Sequence, residues 1–129
     1  MAPELKLLGF AVVIGLVHIV WASIAAQPQR GVKWNTGPRD EPRPLTGMAG
    51  RLERAFANYR ETFPLFAAAV LAVYLSARTS EVTLYACVAY VVARAVYIPL
   101  YAFGVPYVRS LVWVVATGGI VALLAVLLT

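Results

Sequence analysis

Charge is scarce in this chain: only 13% of its residues are Asp, Glu, Lys or Arg, and six of those are acidic. With 61% hydrophobic residues and a mean hydropathy of +0.76, the composition falls outside the range of soluble globular domains. One cysteine and one histidine leave no intrachain disulfide and no Cys/His metal site to build, and no metal is expected. Cys87 lies within an apolar run and reads as a small buried apolar residue. Alternating apolar and polar patterns are missing too. Strands are therefore not expected, and lipid admits only helices or closed barrels.

What the chain does contain is four continuous apolar stretches, roughly Leu5–Ala26, Thr62–Ala77, Val82–Phe103 and Tyr107–Leu128. Three reach the length of about 20 residues that crosses a bilayer, and the second does so once its polar start from Gly47 is counted. The expectation is an all-α membrane protein, a single domain over residues 1–129 built as a four-transmembrane-helix bundle. The small residues of "ASIAAQ" before Gln27 resemble a signal-peptide cleavage site, but the apolar run before them is longer than the usual 7–15 residues. A retained first helix is the better reading.

The pI near 9.7 is explained by where the cations lie. Arg30, Lys33, Arg39 and Arg43 fall between the first two spans, with Arg51 and Arg54 just beyond, whereas the next turn holds only Arg78 and the N-terminal end only Lys6. By the positive-inside rule, the first loop and the short loop near Arg109 face the cytoplasm and both termini the opposite side. No nucleic-acid partner is needed to account for the charge.

The loop "QPQRGVKWNTGPRDEPRPLTG" reads as an irregular connection. Thr46 and Ser80 are the expected N-caps of the second and third helices, with Glu81 complementing the dipole of the third. Pro64 and Pro99 should kink their helices, and "FGVP" should turn the chain into the last helix. There, Gly118 and Gly119 favour close packing.

At 100° per residue, Arg51, Arg54, Asn58 and Glu61 share roughly 80° of the second helix. Tyr90, Arg94, Tyr97 and Tyr101 share roughly 60° of the third. Arg109 and Ser110 open the fourth. Arg51, Glu53 and Arg60 are equally well explained as headgroup contacts, since arginines at a membrane surface snorkel. Arg94 is not, because it lies near mid-span, where a charge costs about 3 kcal/mol or more and marks a bundle interior or a wet cavity. His18, deep in the first span, reads as a neutral imidazole hydrogen-bonded between helices rather than a proton carrier. Together these residues describe a basic pocket near the cytoplasmic surface. It suits a small anion with several carboxylates, held by arginine forks, with Glu61 free to accept from an ammonium group.

The stretch "RLERAFANYRETFPLF" resembles the signature of the MAPEG family, the membrane-associated proteins in eicosanoid and glutathione metabolism. Arg54, Asn58, Glu61 and Pro64 match its R-x3-N-x2-E-x2-P pattern. Arg94, Tyr97 and Tyr101 match the third-helix spacing, and Arg109 matches the arginine that opens the last helix. The resemblance implies a homotrimer with glutathione, as co-substrate, bound between subunits near the cytoplasmic face, and transferase or peroxidase chemistry on lipophilic substrates. It further implies that Arg54 and Arg94 hold glutathione carboxylates, that Asn58 and Glu61 hold its polar backbone and amino group, and that Tyr97 and Tyr101 line the site. Arg109 would activate the thiol, and Arg30 would add a carboxylate contact.

Phe56 and Ala57 depart from the pattern, standing where well-studied members often have polar or basic residues. This motivates an alternative: a non-catalytic glutathione- or lipid-binding membrane protein of the same fold. A small multidrug transporter also fits the length. Such a carrier needs an acid deep in a span, and here Glu4 sits at the edge of one span while Glu61 lies near the interface.

Overall fold

A computed structural model describes residues 1–129 and contains four helices: α1 (Pro3–Thr36), α2 (Gly47–Leu75), α3 (Glu81–Ala102) and α4 (Tyr107–Leu128). Three of them, α1, α3 and α4, are long and apolar enough to cross a membrane by themselves. The charged first half of α2 keeps it below that standard, although its 29 residues run the length of the bundle.

The helix ends follow local chemistry. Ser80 caps α3 with a reciprocal pair of bonds: its hydroxyl accepts from the Thr83 amide at 3.3 Å, and its own amide donates to Thr83 Oγ1 at 2.7 Å. α3 closes on Gly104, whose φ of 71° lets Gly104 N–H reach Tyr101 O and Val105 N–H reach Leu100 O. That turn delivers the chain into α4. Pro64 and Pro99 lie inside α2 and α3, which continue through them without a non-helical residue.

Two expectations need correction. α1 does not stop at Ala26 but continues helical to Thr36, broken only at Gly31, where φ is 81°. The reason is Trp34: its Nε1 donates to Glu41 O at 2.7 Å, and its ring lies under the guanidinium groups of Arg30 and Arg39, which orders a segment that composition marks as loop. Thr46 does sit at the N-cap of α2, but its hydroxyl makes no capping bond. Gln29 instead grips its backbone from both sides, accepting from Thr46 N–H at 2.9 Å and donating to Thr46 O at 3.0 Å.

α2 and α3 form the short diagonal of the bundle. α1 packs on both from one side and α4 on both from the other, and α1 and α4 do not touch. The core lies along that diagonal, around Phe66, Val70, Val73, Tyr90 and Cys87, while α1 and α4 turn Leu16, Ile24, Leu111 and Val121 outward as a lipid-facing surface. The first and third connections lie at one end of the bundle, where Arg51 Nε donates to Ala102 O at 2.7 Å. At the other end, Arg78 donates to Val126 O, and Thr83 donates to a buried Glu4 at 2.9 Å.

Between helices in lipid, close packing replaces the hydrophobic drive. The two glycines of α4 differ sharply in this respect. A Cβ on Gly119 would lie 2.6 Å from Ala86 O, whereas one on Gly118 would meet nothing within 4 Å. Gly119→Ala is therefore expected to force α3 and α4 apart and cost about 1–3 kcal/mol, while Gly118→Ala should match or exceed the parent through helix propensity. Thermal unfolding in detergent micelles checks this; equal melting of the two variants would contradict the packing described.

Candidate functional site

A cleft of about 650 Å³ opens between α2 and α4 with α3 as its floor, within the range of roughly 300–1,000 Å³ typical of small-molecule sites. α2 supplies Arg54, Asn58 and Glu61, spaced so that all three emerge on one flank of the helix. Tyr97 and Tyr101 come from α3, and Arg109, Ser110 and Trp113 from α4. The turn at Gly104 places the first residues of α4 opposite that flank of α2, and the Arg109 guanidinium rests 4.5 Å from the Tyr101 ring centroid. Arg54, Glu61 and Arg109 take part in no ion pair, since the chain's two pairs are Arg30–Glu53 and Arg43–Glu41. Two cations and one carboxylate thus face a shared, open cleft with their charges uncommitted. The arrangement suits a small zwitterionic ligand with excess negative charge.

Six of the eight residues singled out from sequence line this cleft: Arg54, Asn58, Glu61, Tyr97, Tyr101 and Arg109. Arg94 does not. It is fully buried behind the cleft wall, and its single hydrogen bond runs from Nη1 to Asn58 Oδ1 at 2.7 Å. Its guanidinium lies against the rings of Tyr97 (4.2 Å) and Tyr59 (5.1 Å). The resemblance expects Arg94 to hold a ligand carboxylate; here its one hydrogen bond runs to Asn58, which lines the cleft.

Arg30 also lies elsewhere. It occupies a second groove between α1 and α2, on the opposite flank of α2, where it pairs with Glu53 at 2.9 Å and donates to Arg43 O. Arg51 shares the helical face of Arg54 but turns away to the C-terminal carbonyl of α3. Sequence reasoning passed over Tyr59, Trp113 and Val114. Tyr59 carried a weak signal in its position beside Asn58 within the motif; Trp113 and Val114, one turn past Arg109 and Ser110, carried none.

His18 is buried without the interhelical hydrogen bond expected of it. Neither ring nitrogen has a partner, and the ring stacks on Tyr59 with centroids 4.9 Å apart and lies 5.8 Å from that of Phe56. An aromatic environment selects its shape over its polarity.

A family model of MAPEG matches residues 7–129. The chain belongs to the MAPEG family. That match covers all four helices except the first residues of α1, so the second-helix motif and the residues that line the cleft all lie inside the matched region. Among curated proteins and solved structures, no significant match is found. Membership makes this a multi-pass integral membrane protein of a family in eicosanoid and glutathione metabolism.

In this MAPEG chain the stacking partners of His18 matter more than its nitrogens, which yields a test. His18→Phe keeps the ring and removes two unsatisfied polar atoms, so the variant should unfold at the parent's temperature or above it, by up to about 1–3 kcal/mol. A clear loss of stability in a detergent melt would show that the imidazole nitrogens hold a partner after all.

Proposed function

We propose that this MAPEG protein is a glutathione-dependent membrane transferase or peroxidase, assembled as a homotrimer. The observation that carries the reading is the meeting of Arg109 with Arg54, Asn58 and Glu61 across one cleft. Glutathione has two carboxylates, one ammonium group and a thiol, and this wall offers complementary groups. Arg54 suits a carboxylate as a planar fork. Glu61 suits the ammonium. Tyr97 and Tyr101 wall the site on the α3 side, and Trp113 and Val114 give it an apolar edge toward the bilayer, from which a lipophilic substrate would enter.

Arg109 is the residue we assign to thiol activation. A fixed guanidinium beside a sulfur stabilises the thiolate over the thiol, as cationic neighbours do for cysteine. Lowering a thiol pKa by about two takes roughly 2.7 kcal/mol, which a close charge pair supplies where the bound ligand itself shields it from water. Its contact with the Tyr101 ring holds the guanidinium without spending its N–H groups, which remain free for the sulfur. The thiolate then supplies the electron pair for a new S–C bond as the leaving group departs from the electrophilic carbon with its own pair, or for a new S–O bond as the peroxide O–O bond breaks and the departing oxygen takes up a proton.

Arg30 enters this reading through assembly. It lies on the flank of α2 away from its own cleft, so it would contribute a carboxylate contact only to the cleft of a neighbouring copy. The positive-inside pattern supports a cytoplasmic orientation for the cleft end.

Ala57 supports a second reading, as it puts a methyl group in the cleft wall and so offers the ligand no polar contact there. A weakly held glutathione without turnover would make the protein a binding module of the same fold.

Arg109→Ala separates these roles. Conjugation of an aromatic electrophile by the parent is expected to fall at least about 100-fold in the variant, as for loss of a transition-state charge partner, with the oligomer's elution volume unchanged. Parent-like turnover would remove Arg109 from the chemistry.

A further inference from the structure

Asn58 and Tyr59 are neighbours on α2 that face different ways. Asn58 lines the cleft, whereas Tyr59 is 2% exposed inside the bundle. Arg94 meets both, with Nη1 donating to Asn58 Oδ1 at 2.7 Å and the guanidinium lying over the Tyr59 ring at 5.1 Å. Tyr59 is itself held from several sides. Its hydroxyl donates to the Ala11 carbonyl of α1, and its ring stacks on His18. It also passes so close to Gly15 that a Cβ there would lie 3.4 Å from Cε2.

A guanidinium carries donors only. The Asn58 atom facing Arg94 must therefore be the carbonyl oxygen, and the amide nitrogen, with its two N–H groups, is turned the other way. We propose that Arg94, seated on the Tyr59 ring, is a positioning residue that locks Asn58 as a hydrogen-bond donor to the cleft, so that the ligand group opposite Asn58 is a carbonyl or carboxylate oxygen. Along α2 the cleft then presents a donor at Arg54, a donor at Asn58 and an acceptor at Glu61, with rises of about 6 Å and 4.5 Å between them. A ligand is read by that order. Without the Arg94 contact, Asn58 could present either end of its amide, and the discrimination between donor and acceptor groups at this position would vanish. The proposal draws on the glutathione reading for its probe; the orientation of Asn58 follows from Arg94 alone.

Asn58→Asp tests it, because aspartate has the same size but no N–H. Arg94 Nε and Nη2 are buried without partners, so a carboxylate at position 58 would give this cation a counter-charge. The cleft, however, would meet an oxygen in place of two donors. In full-length protein in detergent, the variant is expected to melt at or above the parent's temperature and to bind glutathione at least about tenfold more weakly by calorimetry. Tyr59→Leu removes one of the two rings that hold the guanidinium, the one on the α2 side, and leaves Tyr97. It should raise KM for glutathione while leaving kcat at saturation unchanged, and Tyr59→Phe, which keeps the ring, should restore the parent's KM. The proposal is overturned if Asn58→Asp binds glutathione within about twofold of the parent, or if it melts several degrees lower. If the parent itself does not bind glutathione, the proposed function fails, and the melting comparison alone decides the orientation of Asn58.

Discussion

A guanidinium with no exposure to solvent sits between α2 and α3, and the arrangement of the bundle follows from accommodating it. Arg94 has five N–H donors and gives one to Asn58. No acid is within ion-pairing distance, so its charge is met by the faces of Tyr59 and Tyr97. Rings of that size need room. α1 provides it at Gly15, and the Ala11 carbonyl supplies the partner for the Tyr59 hydroxyl. A charge in the middle of a span thus draws three helices together around aromatic residues, and its one hydrogen bond reaches out to the cleft wall.

The same arrangement explains why there are two grooves and why they differ. α2 and α3 share the core, and α1 and α4 flank them without meeting, which leaves α2 with a groove on each side. The groove toward α4 carries Arg54, Glu61 and Arg109 with uncommitted charges. In the groove toward α1, Arg30 is already paired with Glu53, and the Arg60 guanidinium lies over the Phe56 ring. One flank is poised for a ligand. The other is largely satisfied by the chain itself.

Much of this was legible in the sequence, because in lipid the number and length of helices follow from hydropathy, and the helical period then assigns faces. Arg54, Asn58 and Glu61 point together for that reason alone. Arg51 shows the limit of the method: it lies on the same face, yet its side chain turns back to the end of α3, since a helix terminus with free carbonyls attracts a cation. Arg94 shows a deeper limit. Angular position put it on the site face of α3, but only the packed structure shows Asn58 and Tyr97 standing between it and the cleft. The extension of α1 past Gln27 was hidden because composition there reads as loop, and the ordering comes from side-chain contacts of Trp34 with Arg30, Arg39 and Glu41 that no periodic pattern announces.

The central claim is that this cleft binds glutathione and holds its sulfur as the thiolate. The most direct measurement is an ultraviolet difference titration of the solubilised protein with glutathione at neutral pH. The account predicts a saturable thiolate absorbance that disappears when Arg109 is replaced by alanine. Glutathione bound by calorimetry with no thiolate signal would contradict activation, and no binding at all would leave the family membership reporting the fold and not the chemistry.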